Sequence, residues 1–293
     1  KLNNSEGIAV VFIGDGAWGQ GIVYESLNII SKWNLPVLVV CENNFYSQST
    51  AQKDTLAGNI LERSKSFEIE VVHSNIWDLQ TLFTNAESSI ESVRKERRPI
   101  VHVVDMYRLC AHSKGDDYRI IAAIDRFKEI DPIEKFKRSH GDDYNKMLIR
   151  IEKELEDIVK QTEAKKEANL ILPREKKVSQ LEDWTPLIRE KEKISDLIYK
   201  TLFYNMNLDD RIILLGEDIV APYGGAFRIT RDLSEHFPSR VYSTPISEAA
   251  ITGVSCGLSL GGFRPILEIM FGDFITLCLD QLINHIAKFP YVY

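Results

Sequence analysis

No apolar run in this chain approaches the ~18 residues that a membrane-crossing helix needs, so no membrane span is expected. The start also lacks the charged-then-apolar pattern of a secretory signal. Cysteine is sparse: Cys41, Cys110, Cys256 and Cys278 lie far apart, with no CxxC pair. That spacing argues against a zinc site or a disulfide scaffold and fits reduced, buried thiols in a cytoplasmic protein. Nor is there an excess of positive charge. Lys and Arg number 36 against 43 Asp and Glu, a net charge of −7 with both signs mixed along the chain. A nucleic-acid partner calls for a basic stripe, so none is expected. An initiating methionine is missing too, and the chain stops at Phe289-Pro290-Tyr291-Val292-Tyr293. These ends read as those of an internal piece of a longer protein.

What is present is apolar content of 44% over 293 residues, enough for about two domains of ~150 residues, each with a core. Residues 8–14 form a short apolar run of the length of a fully buried strand. Residues 20–33 follow with helical spacing, then strand 37–41, strand 69–73, helix 77–94, strand 100–105 and a loop at 106–119. Strands separated by helical stretches predict a parallel sheet covered on both faces. Residues 143–167 are strongly charged, with Met147, Ile151, Leu155, Ile158 and Val159 at helical spacing. A helix lying on its own domain is expected there in preference to a partner-docking helix. A linker with Pro173 and Pro186 follows. Helix 187–206, strand 211–216, helix 247–260, strand 265–270 and helix 273–288 then repeat the α/β pattern. The fold class is thus α/β, with two parallel-sheet domains at 1–140 and 187–293, joined by a charged helix and linker at 141–186.

Gly14-Asp15-Gly16-Ala17-Trp18-Gly19 matches GxGxxG between a strand and a helix, as a dinucleotide-binding turn does. Asp15 argues against that reading. A carboxylate ~4 Å from a pyrophosphate charge is repelled by about 4 kcal/mol at an effective dielectric near 20. A magnesium ion reverses the sign, because the carboxylate becomes a ligand beside the diphosphate. Asn43-Asn44, after the next strand, can add an amide oxygen, since parallel strands bring both loops to one sheet edge. Taken singly, Asp15 is as easily a helix cap and Asn43-Asn44 an ordinary turn; the pair at this spacing is more informative.

GDG followed by NN, with residues 17–42 between them, is the thiamine-diphosphate motif. The fuller stretch GDGAWGQG…ESLNI…WNLPVLVVCENNFYSQST resembles the α part of the decarboxylating component of 2-oxo acid dehydrogenase complexes. The resemblance implies that Asp15, the Asn44 side chain and the Tyr46 carbonyl hold magnesium. It further implies that Gly14 shapes the turn and that Gly16 and Ala17 meet the diphosphate through their backbone. Tyr107-Arg108-Leu109-Cys110-Ala111-His112-Ser113 is similar to the family's YRxxGHS loop, which makes His112 an active-site candidate and Arg108 its loop anchor. Asp116-Asp117-Tyr118-Arg119 looks like a shortened D-x-YR continuation. Further on, Leu215-Gly216-Glu217-Asp218, Tyr223-Gly224-Gly225-Ala226-Phe227, Thr244-Pro245-Ile246-Ser247-Glu248 and Gly262-Phe263-Arg264-Pro265-Ile266 resemble the start of the β part. The two domains are then of the diphosphate-binding and pyrimidine-binding types.

Thiamine chemistry requires loss of a proton from the thiazolium carbon. A carboxyl group hydrogen-bonded to the aminopyrimidine ring promotes this by favouring the imino tautomer. By resemblance Glu248 is that group, while the bland alternative is a charge placed at a helix N-terminus. Glu217 would join an acidic relay, and Phe274 would pack on the aminopyrimidine, although helical spacing makes it equally a core residue. The implied reaction is oxidative decarboxylation of a 2-oxo acid, branched-chain first and pyruvate next. The acyl group would pass to lipoyllysine on a partner acyltransferase. A homo-oligomer with the cofactor between chains is implied as well. Two rivals stand beside this reading. One is a Rossmann NAD dehydrogenase, which leaves TPISE unexplained. The other is an inactive fragment or assembly module, since two family histidines fall outside 1–293.

Overall fold

A computed structural model describes residues 2, 5–113, 115, 117–165 and 192–292. The chain divides into two compact units, Lys1–Ala168 and Asn169–Tyr293. In the first, β1 (Ala9–Gly14), β2 (Val37–Asn43), β5 (Glu70–Asn75) and β6 (Ile100–Asp105) form a parallel sheet in the order β1-β2-β6-β5. A small antiparallel hairpin, β3 (Tyr46–Ser47) with β4 (Thr50–Ala51), follows β2. Helices α1 (Gly21–Lys32), α2 (Gln52–Thr55), α3 (Ile60–Lys65) and α4 (Leu79–Glu96) fill the connections.

Two-residue alternation along β2 and β6 gives the sheet two apolar faces. Val39, Cys41, Val101 and Val103 pack with Trp18, Leu27, Ile60 and Ile69 in one cluster. Leu38 and Ile100 pack with Val93 of α4 in the other. Each large side chain so buried contributes roughly 1.5–3 kcal/mol. Local signals fix the helix ends: Asp78 accepts from Thr81 N at 3.2 Å, and Asn59 accepts from Glu62 N at 2.8 Å.

The expectation of a fully buried first strand is corrected. β1 lies at the sheet edge, with Val10 and Val11 44% and 43% exposed and Phe12 66% exposed. An apolar run does not distinguish an edge from a central strand, because pairing partners come from elsewhere in the chain. Two helices that the periodicity did not reveal, α5 (Ile121–Glu129) and α6 (Pro132–Ser139), precede α7 (Gly141–Glu163). The Asp131-Pro132 start of α6 is a strong cap, with Asp131 accepting from the Ile133 and Glu134 amides. The charged helix forms as α7, but its apolar stripe does not lie on its own domain: Met147, Ile151, Leu155, Ile158 and Val159 are all exposed. Periodicity makes a face without supplying what covers it. The expected linker prolines, Pro173 and Pro186, lie outside the described residues.

In the second unit, α8 (Ile194–Leu208) leads into β7 (Ile212–Gly216), α9 (Leu233–His236), β8 (Val241–Ser243), α10 (Glu248–Leu260) and β9 (Arg264–Glu268). The sheet is parallel in the order β8-β7-β9, over a core of Met206, Ile212, Leu214, Ile219, Leu233, Phe237 and Val241. The expected single helix 273–288 is instead a 3-10 stretch, Gly272–Cys278, and a π-helical stretch, Gln281–Ile286, before the terminal turn α11 (Phe289–Val292). Thr276 Oγ1 donating back to the Asp273 carbonyl at 3.0 Å tightens the first. The bond from Ala287 N to Leu282 O, 2.9 Å long, widens the second. No described helix is long and apolar enough to cross a membrane.

Candidate functional site

Parallel pairing places the carboxyl ends of β1, β2, β5 and β6 along one edge of the sheet. Gly14 is opposite Glu42, and Asn43 and Asn75 are opposite Asp105. The backbone turns into a one-turn helix, Asp15–Gly19, directly after β1. Asp15 is only 2% exposed, whereas Gly14 and Gly16 on either side are exposed and Ala17 is half-buried. Burial pushes the Asp15 carboxyl above its ordinary range, against the opposing pull of the Gln52 side chain and the backbone amides of Asn44 and Gly16. All these partners are neutral. A buried carboxylate facing neutral donors suits a cation, which would repay its lost hydration.

The first asparagine, Asn43, is buried and held from both sides. Its Nδ2 donates to Asp105 Oδ1 at 2.7 Å, and its Oδ1 accepts from Gln52 Nε2 at 2.7 Å. The second, Asn44, meets Asp15 through its backbone amide, while its Oδ1 accepts from Tyr46 N at 3.0 Å. That bond shapes the turn into β3 and brings Asn44 and Tyr46 into one loop. Among the described residues no three His, Cys, Asp or Glu side chains cluster as a metal site. A magnesium ion here must combine one carboxylate with amide, carbonyl and ligand oxygens, a donor set that this ion accepts.

The loop after β6 is pinned on the hairpin by Arg119. Its guanidinium makes two 2.7 Å bonds to Asp117 and lies 5.4 Å and 5.2 Å from the ring centroids of Tyr46 and Tyr107. It also donates to the carbonyls of Arg108 and Cys110. The hydrogen bonds from Arg119, helped by its charge, hold the Asp117 carboxyl at about 2. Arg108 reaches the Gln48 carbonyl of the hairpin and the Cys110 carbonyl, so it contributes to the same attachment. Arg119 has the more enclosed side chain, 4% exposed, and the sequence signal for it was the D-x-YR remnant. His112 is exposed. Cys41, which accepts from Trp18 Nε1 at 3.1 Å, is pushed up to about 12 by burial and is no thiolate nucleophile. Cys41 and Cys278 are the buried thiols; Cys110 is exposed, against expectation. Its loop position explains that.

In the second unit, Glu217 follows β7 and Glu248 opens α10. Glu217 is buried, accepts from Ser247 N at 3.3 Å, and is raised above its ordinary range by burial and by the neighbouring Glu248 charge. Glu268, at the end of β9, is raised by burial and by Glu217, and its Oε2 is a buried oxygen with no hydrogen-bond partner among the described residues. The sequence reading missed this third carboxylate, which β-sheet register places opposite Gly216, next to Glu217. Phe274 is 39% exposed in the 3-10 stretch and packs edge-on against Phe271, with ring centroids 5.8 Å apart. Asp15, Asn44 and Tyr46 thus lie together in the first unit, and Glu217 lies beside Ser247 and Glu248 in the second.

Residues 1–172 match the Dehydrogenase E1 component family, and residues 192–291 match the Transketolase, pyrimidine binding domain family. The first part is 32% identical over 172 residues to the pyruvate dehydrogenase E1 component subunit alpha of Rickettsia bellii, covering 55% of this chain and 51% of that protein. The second part is 42% identical over 93 residues to the 3-methyl-2-oxobutanoate dehydrogenase subunit beta of Mycobacterium tuberculosis, covering 31% and 26%. It is 38% identical over 112 residues to the beta subunit of Bacillus subtilis acetoin:2,6-dichlorophenolindophenol oxidoreductase, covering 34% and 33%. The chain thus spans about half the length of the alpha-type relatives that it matches. A transketolase from Leishmania mexicana shares the fold, with a TM-score of 0.57 at 13% identity over 93% of this chain and 44% of that one. A parallel-sheet unit with Asp15 buried at its edge and a second unit of pyrimidine-binding type agree with these matches, and the chain belongs to the dehydrogenase E1 component family.

Proposed function

We propose that this chain carries the thiamine-diphosphate and magnesium site of a 2-oxo acid dehydrogenase. The observation that carries the reading is Asp15, a buried carboxylate at the strand ends whose partners are all neutral donors. Asp15, the Asn44 amide oxygen and the Tyr46 carbonyl are the magnesium ligands. Asn44 Oδ1 retains a second lone pair beside the one engaged by Tyr46 N. Gly16 and Ala17 meet the diphosphate through their backbone, at the turn after β1.

When bound, thiamine diphosphate supplies the carbon nucleophile for attack on the oxo group. Glu248 holds a proton against the aminopyrimidine ring, and Phe274 packs beside that ring. Glu217, whose carboxyl is raised above its ordinary range by burial and by the neighbouring Glu248 charge, joins Glu248 in an acidic relay. Arg119 and Arg108 fix the loop that carries His112. We propose branched-chain 2-oxo acids such as 3-methyl-2-oxobutanoate as substrates, with pyruvate second, and lipoyllysine of a partner acyltransferase as acceptor. The similarity of the second unit to a 3-methyl-2-oxobutanoate dehydrogenase subunit supports that order. A homo-oligomer with the cofactor between chains and a cytoplasmic location belong to the same proposal, as do domain limits near 140 and 187.

Calorimetry of the full-length protein with thiamine diphosphate, with and without magnesium, tests the reading. Metal-dependent binding is expected. Binding indifferent to magnesium, or binding of NAD in its place, would overturn it.

A further inference from the structure

Gln52 was singled out by no motif, yet its carboxamide bonds directly to the Asp15 carboxylate. It opens the short helix α2, directly after the hairpin, and its backbone amide is fixed to Phe45 O at 2.8 Å. The side chain turns inward, and Nε2 donates to Asp15 Oδ2 at 2.9 Å and to Asn43 Oδ1 at 2.7 Å.

The orientation of that amide follows from its neighbours. His73 Nε2 lies 2.9 Å from Asp105 Oδ2, and Asp105 Oδ1 accepts a hydrogen bond from Asn43 Nδ2. A carboxylate only accepts, so Asn43 must give its NH2 group to Asp105 and turn its oxygen toward Gln52. Gln52 then faces two oxygens and has to present its NH2 group to both. Its two polar hydrogens occupy the place between a carboxylate oxygen and an amide oxygen. A divalent cation on Asp15 would draw on the same carboxylate, and magnesium binds oxygens at about 2.0–2.1 Å. An N–H donor and a cation compete for that carboxylate, because both direct positive charge at its oxygens.

We propose that Gln52 competes with the divalent cation for Asp15, so that loading requires its carboxamide to swing off the carboxylate. The inference rests on the metal-site reading above. Gln52 therefore weakens and slows cation uptake, and the Asn43–Asp105–His73 chain holds its acceptor in place.

The test is titration of magnesium chloride, at saturating thiamine diphosphate, into the full-length wild-type protein and into Gln52→Ala. Removing a hydrogen bond to a charged group is expected to lower the magnesium dissociation constant by about tenfold. Association followed by stopped-flow fluorescence should be faster. Gln52→Glu supplies a second readout: its melting temperature without metal should fall below wild type, and magnesium should raise it by more than it raises wild type. An unchanged magnesium affinity in Gln52→Ala overturns the proposal. So does a weakened affinity, which would make Gln52 a ligand. A wild-type protein that binds thiamine diphosphate without regard to magnesium removes the metal-site reading itself, and this inference with it.

Discussion

A Cβ placed on Gly16 would lie 2.3 Å from Ser47 Oγ and 3.1 Å from Ser47 Cβ. The turn after β1 and the β3–β4 hairpin thus approach as closely as their atoms permit, and glycine at 16 is a packing requirement. Gly16→Ala must turn the Ser47 hydroxyl aside and displace Ser47 by a few tenths of an ångström. Overpacking of this kind costs about 1–3 kcal/mol. Thermal unfolding should show that loss, and because Asn44 and Tyr46 ride on the displaced loop, cofactor affinity should fall with it.

Asp15→Asn separates stability from binding. Burial disfavours the Asp15 charge, so its folded pKa lies above its unfolded one, and its ionisation opposes folding as pH rises through that range. Removing the charge should leave the melting temperature near pH 7, measured without metal, no lower than wild type. Magnesium-dependent binding of thiamine diphosphate should nonetheless disappear in calorimetry. A large drop in melting temperature would contradict this account.

Glu248→Gln in the full-length protein keeps the shape and a hydrogen bond but not the exchangeable carboxyl proton. Cofactor binding should persist, while decarboxylation of 2-oxo acids should fall by at least ~100-fold, the scale of a positioned acid–base group. Unchanged turnover would remove the proton role from Glu248.

The Asp117–Arg119 pair sets a pH dependence in the loop. Asp117 is held at about 2, below its ordinary 3.8. Its stabilisation is complete above the unfolded value and is lost as pH falls toward the folded one. The difference in melting temperature between wild type and Asp117→Asn should therefore be constant above about pH 5 and shrink between pH 4 and 2. A difference that grows with acid would reverse the sign.

In the second unit, Gly224 has a φ of 72°, and a Cβ there would lie 2.5 Å from Arg231 Cα. The obstacle is backbone, which cannot rotate away. Gly224→Ala should destabilise the unit by more than the ~1 kcal/mol of left-handed strain alone, read as a lower urea midpoint.

Much of this was legible in the amino-acid order. Alternating apolar strands and amphipathic helices specified parallel sheets, because the two periods 2 and 3.6 are local properties of neighbouring residues. The GDG and NN pair, with TPISE downstream, marked the edge residues Asp15, Asn43, Asn44 and Glu248. The exposure of β1 and of the α7 stripe was not legible, since an apolar pattern says which face seeks cover and not what provides it.

By itself the sequence determined which groups stand at the strand ends, and it raised the expectation that the carboxylate at Asp15 calls for a cation. Tertiary structure alone decided what touches that carboxylate. Gln52, 37 positions away, arrives there through a hairpin, and Asp105, 62 positions from Asn43, sets that amide's orientation. Arg119 likewise finds its place between Tyr46 and Tyr107. Such contacts depend on strand register and loop path, which no local periodicity encodes, and they settle how a motif residue is held.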